Sequence, residues 1–308
     1  MPASRLCPIC GAAEPILDGQ DVWPERWSCR TCGHTVPVSD AIPMFAPELA
    51  DTLSGFDPGE FALLAGVERE HFWFVPRNRL IATLIVRYFP EATRILEVGC
   101  GTGMVLSAIA GLRRWQWLVG SELHPSGLVE ARRRLGSQAR FVQMDARMIP
   151  AREAFDVAGA FDVIEHIAED EKVLAAMREA IITGGGVILS VPQHPLLWSP
   201  IDERAHHVRR YRRGELEEKL IKAGFEVVFS GSYTVVLLPL MAISRLIRGR
   251  TRRQAVSHAS AQPVGLEFRL PYLVNALARS ILEAEVSLTL AGVRFPVGGS
   301  RVVVAIKR

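Results

Sequence analysis

The sequence predicts an α/β fold, a doubly wound and mostly parallel sheet covered by helices on both faces, preceded by a small metal-binding module. Two observations predict the sheet. Short apolar runs alternate with helical segments, and glycines or acidic residues follow the runs where parallel strands would end. One observation predicts the module, because four of the five cysteines stand in two C-x-x-C pairs near the start of the chain.

Composition sets the scale and excludes some classes of function. A chain of 308 residues, 49% hydrophobic and 22% charged, can bury a full α/β core and still carry a small extra module. The net charge of +3 is too weak to indicate nucleic acid by itself, although all but four of the 36 basic residues are arginines and cluster at 132–134, 209–213 and 245–253. The first ten residues lack the apolar core of a signal peptide, so we expect a cytoplasmic protein with reduced cysteines.

The two cysteine pairs predict a structural zinc site in residues 1–46. Each pair is followed by a glycine, which permits the tight turn around an ion, and four thiolates leave no open coordination position for chemistry. The alternatives are two unrelated thiol pairs or a redox pair, and no βαβ unit precedes the cysteines to support the latter. The predicted ligands are Cys7, Cys10, Cys29 and Cys32. Proline and glycine then indicate a linker over 47–67, with the main domain over 68–308.

The apolar run at 95–98 predicts a central strand that turns through Gly99, Gly101 and Gly103 into a helix over 104–110. Such a turn brings bare backbone N–H groups close to a ligand. The alternative is a tight turn that binds nothing. A dinucleotide loop of the form G-x-G-x-x-G is disfavoured, because it would require glycine where Met104 stands.

Three further strand ends carry acidic residues. We predict strands at 117–120, 141–144 and 155–160, followed respectively by Glu122, by Asp145 and by the segment 161–167. A fifth strand follows at 187–191. The carboxyl ends of parallel strands meet at one edge of a sheet, so these groups are expected to lie together, and an acid at the end of the second strand can accept both hydroxyls of a ribose.

These motifs resemble the class I S-adenosylmethionine-dependent methyltransferases, in particular the type 11, 12 and 23 groupings. The stretch from Glu97 to Gly103 is similar to the family's first motif, and 161–167 is similar to its segment after the fourth strand. The resemblance spans 68–308 and implies a seven-stranded sheet in which the last strand, at 300–306, runs antiparallel. Residues 27–45 resemble the zinc ribbons that partner or precede many methyltransferases.

The resemblance implies S-adenosyl-L-methionine as cofactor and assigns residues to it. Asp145 is expected to receive the adenine amino group. Trp73 and Arg77 are expected to form a lid, the alternative being that the aromatic residues only pack a helix onto the sheet. The implied cofactor-binding residues are Glu97, Gly99, Cys100, Gly101, Thr102, Gly103, Glu122, Leu123, Asp145, Ala146, Phe161, Asp162, His166, Trp73 and Arg77.

The long segment 193–213 predicts the acceptor site, because loops of this length are usually functional or disordered. The alternative is a hydrated surface loop. A metal site built on the adjacent pair His206 and His207 is disfavoured, because neighbouring side chains point apart in an extended chain. The predicted acceptor-binding residues are His194, Arg209, Arg210 and Tyr211. The candidate general bases are His207, His166 and His206, because imidazole titrates near neutral pH.

An apolar stretch at 233–247 is too short to span a membrane comfortably. We predict that 231–297 forms a helical cap in which this stretch packs against a helix at 271–290. Peripheral membrane contact through 233–253 is compatible with that cap, with arginines meeting lipid phosphates.

Three functions follow as hypotheses. The first is methyl transfer to a small-molecule, saccharide or lipid-linked acceptor. The second is an RNA methyltransferase that binds rRNA or tRNA through the zinc ribbon and the arginine clusters. The third is a binding or activator module that has lost its chemistry, which the intact Glu97, Gly99, Gly101, Glu122 and Asp145 disfavour.

Overall fold

The computed structural model describes residues 2–50, 59–240 and 270–308. Its centre is a seven-stranded sheet. The strands are β5 (Arg94–Val98), β6 (Trp117–Glu122), β7 (Arg140–Gln143), β9 (Phe155–Phe161), β10 (Ile181–Pro192), β11 (Phe225–Tyr233) and β12 (Ser300–Lys307). They lie in the order β11-β12-β10-β9-β5-β6-β7. Only β12 runs against its neighbours, pairing antiparallel with β10 and β11. The predicted mostly parallel sheet with an antiparallel last strand is confirmed.

Helices lie on both faces of the sheet, as a doubly wound fold requires. They are α1 (Glu60–Val67), α2 (Phe74–Tyr88), α3 (Met104–Ala110), α4 (Pro125–Leu135), α5 (Asp170–Ala180), α6 (Pro200–Arg204), α7 (Glu215–Lys222) and α8 (Tyr272–Leu290). The core on one face contains apolar residues of α2, α3 and α4, and the core on the other face contains those of α5 and α7. The sheet therefore buries both faces, which explains the continuous apolar runs in its central strands.

The amino-terminal module is built into the domain. Its strand β1 (Ser4–Leu6) pairs with β2 (Ala13–Pro15) and with β8 (Ala151–Arg152) of the domain. The indole N–H of Trp23 donates to the carbonyl of Pro150 at 2.9 Å, and its ring packs on Phe155 with centroids 5.7 Å apart. The module therefore shares the core on the face opposite α2. A short hairpin of β3 (Val38–Ser39) and β4 (Ile42–Pro43) ends it.

The structure differs from the sequence-based expectations in several places. Residues 60–67, predicted as linker, form helix α1. The predicted lid residues belong to the start of a helix, since α2 begins at Phe74, directly after Trp73, and contains Arg77. Segment 193–213, predicted as a loop, contains a 3-10 turn at Pro195–Leu197 and helix α6.

The predicted helical cap lies partly outside the described residues. Helix α8 is present and packs on α2, where Arg79 pairs with Glu283 at 2.8 Å. The side-chain amide of Asn275 also donates to the backbone carbonyl of Glu70 at 2.9 Å. Residues 241–269, which include most of the predicted membrane-contact stretch, lie outside the described ranges. Within those ranges no helix combines the length and apolar composition needed to cross a bilayer.

Candidate functional site

The glycine turn after β5 has the geometry that the sequence predicts. Gly99, Gly101 and Gly103 all have positive φ, at 68°, 51° and 74°, a region that side chains rarely tolerate. A Cβ on Gly99 would lie 2.6 Å from a methyl carbon of Val163, and a Cβ on Gly103 would lie 2.8 Å from a methyl carbon of Leu135. The turn is therefore held against both the segment after β9 and helix α4.

Glu122 lies at the end of β6 and is connected to the glycine turn. Its Oε2 accepts the backbone N–H of Gly101 at 3.1 Å, and its Oε1 accepts those of Leu123 and His124 at 2.8 and 3.2 Å. The carboxylate is thus fixed beside the turn, where the sequence places a ribose-binding acid.

Helix α1 covers this turn. Its buried Phe61 has ring atoms 3.6 Å from the Cβ position of Gly101 and 3.1 Å from that of Gly127, and its ring lies 6.4 Å from that of His124. Sequence reasoning missed Phe61, because 47–67 was interpreted as linker. The signal was available in the apolar run 61–64 after a proline and a glycine.

A buried ion pair fixes the far side of the turn. The Thr102 hydroxyl and the Arg134 guanidinium both donate to one carboxylate oxygen of Glu68, at 2.5 and 2.6 Å. The side chains of Arg134 and Glu68 are only 8% and 2% exposed. Although it belongs to the basic cluster at 132–134, Arg134 is buried, because its guanidinium pairs with the buried Glu68.

Glu97 is a buried acid in the same region. Its Oε2 has no hydrogen-bond partner among the described residues, and burial raises the pKa of its carboxyl well above the usual range, although the charge of Arg77 opposes the shift. A cationic ligand group would relieve this carboxyl. The charged amino group of S-adenosyl-L-methionine is such a group and fits this buried carboxyl.

Arg77 and Trp73 lie where the sequence suggests a lid. The guanidinium carbon of Arg77 is 4.3 Å from the centre of the Trp73 ring, and Arg77 pairs with Asp162 just beyond β9. Asp162 has a positive φ of 57°, a strained backbone that is characteristic of functional sites. Phe161 is buried directly before it. The structure therefore brings the predicted lid residues to the edge where β5 and β9 end, and their contact with cofactor stays a prediction.

Asp145 follows β7 and forms a pair with Arg147. Its carboxylate accepts the Arg147 side chain at 2.9 Å, and Arg147 also reaches Glu169 at 3.2 Å. The hydrogen bond that Arg147 donates to Asp145 raises the pKa of the guanidinium. Ala146 lies half-buried between them. Binding of an adenine amino group by Asp145 stays a prediction.

A second group of polar side chains lies after β9, next to the glycine turn. Glu165 is fully buried and neither carboxylate oxygen has a hydrogen-bond partner among the described residues. The rings of His166 and His207 meet edge to face with centroids 4.7 Å apart, and Nε2 of His207 lies 3.9 Å from Oε1 of Glu165. One ligand atom from each of Glu165, His166 and His207 can be chosen so that all lie within 4.8 Å of one another.

Asp202 supports this group from helix α6. Its Oδ1 lies 3.0 Å from Nδ1 of His207 and accepts the Arg210 guanidinium at 2.6 Å, while its Oδ2 accepts the Ser199 backbone N–H at 2.8 Å. Although burial opposes ionisation, the bonds from His207 and Arg210 lower the pKa of Asp202. Sequence reasoning missed both Glu165 and Asp202. The capping pattern Ser-x-x-Asp at 199–202 was the available signal for the second.

Burial shifts the other groups in the cluster toward their neutral forms. The pKa of Glu165 is raised well above its usual range by burial and by the charge of Asp162. The pKa of His166 is lowered to about 3 by burial and by the neighbouring His207 and His206. Uncompensated charge is therefore strongly disfavoured here.

Three of the four predicted acceptor-binding residues contact acidic side chains within the chain. Arg209 contacts Asp170 at 2.7 Å, and the Tyr211 hydroxyl donates to the same carboxylate at 2.7 Å. Arg210 is buried against Asp202. His194 has a positive φ of 64°, and its Nε2 lacks a partner in the described part of the chain. Arg209, Arg210 and Tyr211 thus hold the segment in place, and an acceptor role for any of the four stays a prediction. His206 is exposed and lies outside the ring-to-ring contact.

The four cysteines of the amino-terminal module converge. Sulfur atoms lie 3.6 Å apart in the pair Cys7 and Cys32 and 3.7 Å apart in the pair Cys10 and Cys29. Bonds of about 2.3 Å in a tetrahedral zinc site place sulfur atoms about 3.8 Å apart. The cluster therefore fits zinc. The fifth cysteine, Cys100, is buried beside the glycine turn, and burial raises the pKa of its thiol well above the usual range.

Comparison with known proteins decides the family. A family model described as a methyltransferase domain matches residues 69–229, which is more than half of the chain. The chain belongs to this methyltransferase family. The match includes the glycine turn, the acidic strand ends and the cluster around Glu165, and the class I S-adenosylmethionine-dependent fold expected from the sequence is confirmed.

Relatives of the methyltransferase domain cover only part of the chain. The O-methyltransferase cnsE of Penicillium expansum is 28% identical over 163 residues, covering 49% of this chain and 59% of its own length. The ubiquinone biosynthesis O-methyltransferase of Sinorhizobium medicae is 23% identical over 195 residues, covering 57% of this chain and 73% of its own length. The chain thus spans less than two thirds of the first relative.

A solved structure shares the fold. Phosphoethanolamine N-methyltransferase 2 of Haemonchus contortus, in complex with S-adenosyl-L-methionine, is 18% identical with a TM-score of 0.53, covering 85% of this chain and 59% of that one. At this identity the similarity shows the fold and leaves the acceptor open.

Proposed function

We propose that the protein transfers the methyl group of S-adenosyl-L-methionine to a hydroxyl oxygen of a small-molecule acceptor, such as a saccharide or a lipid-linked compound. The observation that carries this proposal is the group Glu165, His166 and His207 beside the glycine turn. When bound, the cofactor supplies an activated sulfonium methyl group. The chain has then to place the acceptor in line with that methyl, exclude water and help remove the hydroxyl proton.

Different residues at the sheet edge would bind the cofactor, exclude water and bind the acceptor. The glycine turn, Glu122 and Asp145 lie where adenosine-binding folds hold the nucleoside, and the buried Glu97 suits the cofactor's charged amino group. Helix α1 and the pair Trp73 and Arg77 cover that region and would exclude water. The group of Glu165, His166 and His207, whose first two members follow the neighbouring strand β9, is then left for the acceptor.

Two further points support this acceptor class. The relatives described above carry names of O-methyltransferases. Arg209 and Arg210 pair with internal acids, which leaves an RNA acceptor with less basic surface at 209–213 than the sequence suggested. We also propose that Cys7, Cys10, Cys29 and Cys32 hold a structural zinc ion, supported by the sulfur spacing.

The test is to incubate the protein with methyl-labelled cofactor and fractionated cell extract. We expect label in low-mass or lipid fractions that survives mild alkali, because ethers resist alkaline hydrolysis and methyl esters do not. The Glu122→Ala variant should transfer little label. Label in RNA or protein, or label released by alkali, would contradict the proposal.

A further inference from the structure

The Glu165 carboxyl group is fully buried, and the one ion-pair contact recorded for it in the described part of the chain is with His207 Nε2 at 3.9 Å. The neighbouring acids are each matched by one base: Asp162 pairs with Arg77, and Asp202 pairs with Arg210. No third guanidinium or ammonium group is paired with Glu165 in the described ranges, and neither of its oxygens accepts a hydrogen bond there. Protonation would neutralise it but would still leave its oxygens without partners. Buried carboxyl oxygens without hydrogen-bond partners destabilise a protein interior unless a ligand binds them.

The two imidazoles beside this carboxylate are already oriented. Nδ1 of His207 is held by Asp202, which leaves Nε2 directed toward Glu165 at 3.9 Å. The His166 ring interacts with the backbone of Ala205 and His206. A carboxylate or carbonyl behind each imidazole is the usual support for histidines that bind metal ions.

We infer that Glu165, His166 and His207 bind a divalent metal ion, a site distinct from the cysteine cluster. Their ligand atoms lie within 4.8 Å of one another. Metal–ligand bonds of about 2.1 Å place neighbouring ligand atoms about 3.0 to 3.4 Å apart in octahedral or tetrahedral geometry, so the most widely spaced pair has to close by at most about 1.8 Å through rotation of the side chains. Two imidazoles with one carboxylate suit a first-row transition ion and leave coordination positions open.

The open positions give this site a role that rests on the proposed function. An acceptor hydroxyl bound to the ion becomes more acidic and loses its proton to water. An electron pair on the resulting oxygen attacks the sulfonium methyl carbon. The carbon–sulfur bond breaks with its electrons going to sulfur. The products are a methyl ether, S-adenosylhomocysteine and one proton. His207 then acts as a metal ligand, and the general-base role expected from the sequence passes to solvent.

The test is titration with Co²⁺ of the full chain carrying a single equivalent of zinc, followed by visible absorption. Four thiolates bind zinc more tightly than two imidazoles and one carboxylate do, so the single zinc ion occupies the cysteine cluster and Co²⁺ reports the second site. We expect about one equivalent to bind, without the intense near-ultraviolet bands of cobalt–thiolate bonds. Glu165→Gln and His166→Gln should each weaken Co²⁺ binding at least tenfold, while Glu171→Gln, an exposed isosteric control on α5, should not.

The outcomes separate this inference from the proposed function. If the wild-type chain binds S-adenosyl-L-methionine but takes up no Co²⁺ outside the thiolates, the metal inference is overturned and the methyltransferase proposal stands. Unchanged Co²⁺ binding in folded Glu165→Gln also overturns it. The wild-type titration decides the question even if a variant fails to fold.

Discussion

Nδ1 of His207 lies 3.0 Å from Oδ1 of Asp202, and this contact within segment 193–213 orients the His207 imidazole, whose Nε2 faces Glu165 after β9. Asp202 occupies the first turn of helix α6, where its other oxygen accepts the Ser199 backbone N–H and hydroxyl. The Asp202 carboxylate therefore caps the amino terminus of α6 and also orients the His207 imidazole. These hydrogen bonds explain how a fully buried acid is accommodated in helix α6.

We predict that Asp202→Asn lowers kcat about 10- to 100-fold, since partners behind a metal-binding imidazole have effects of that size. The affinity for S-adenosyl-L-methionine should stay unchanged, because Asp202 lies outside the glycine turn. Steady-state kinetics and calorimetry measure the two quantities. Glu203→Gln, on the exposed side of the same helix, is the matched control. Equal losses of cofactor affinity and kcat would show that Asp202 acts only through overall folding.

The pair of Arg134 with Glu68 gives a stability prediction. Arg134→Ala leaves Glu68 buried without its charge partner and should lower the free energy of unfolding by about 3–5 kcal/mol. Arg133 is 70% exposed on the same helix, and Arg133→Ala should change stability by less than about 1 kcal/mol. Urea denaturation of both variants makes the comparison. Similar effects in the two would mean that the buried pair contributes little.

These positions show what sequence can and cannot predict. The strands, the glycine turn and Glu122 follow local patterns, because apolar runs and turn residues carry their own conformational signal. The burial of Arg134 depends on helix α1, and the isolation of Glu165 depends on the fold of segment 193–213. Both are long-range facts that no local pattern encodes. Arg210 illustrates the same limit, since no local pattern shows that this basic residue is buried against Asp202.

The cysteine cluster predicts about one zinc ion per chain. Cys10→Ser should abolish zinc retention and loosen residues 2–46, because metal binding supplies folding free energy for such modules. Cys100→Ser should keep the zinc, since Cys100 lies beside the glycine turn. Elemental analysis and limited proteolysis give the readout. Full zinc content in Cys10→Ser would refute the assignment.

His71 gives a prediction about pH. Burial lowers its pKa to about 4. Between pH 6.5 and 4 the His71 imidazole is therefore protonated in the unfolded chain and largely neutral in the folded chain. This residue's contribution to stability is therefore present above pH 6.5 and is lost as the pH falls toward 4. The pKa values of the buried Glu97 and Glu165 shift in the opposite direction, so the informative quantity is a difference in stability between variants.

Replacing His71 with phenylalanine should remove this contribution. Between pH 6.5 and 4, His71→Phe should lose less stability than the wild type, by roughly 2–3 kcal/mol. Urea denaturation at both pH values measures it. The same pH dependence in both proteins would mean that His71 stays protonated when folded.

The most direct test of the account is calorimetric titration with S-adenosyl-L-methionine and, separately, with NAD. We predict that the wild type and the exposed control Glu218→Ala bind S-adenosyl-L-methionine. Glu122→Ala, which removes the carboxylate that joins β6 to the glycine turn, should bind it at least tenfold more weakly, and none of the three should bind NAD. Binding of NAD by the wild type, or undiminished cofactor binding by Glu122→Ala, would contradict the account.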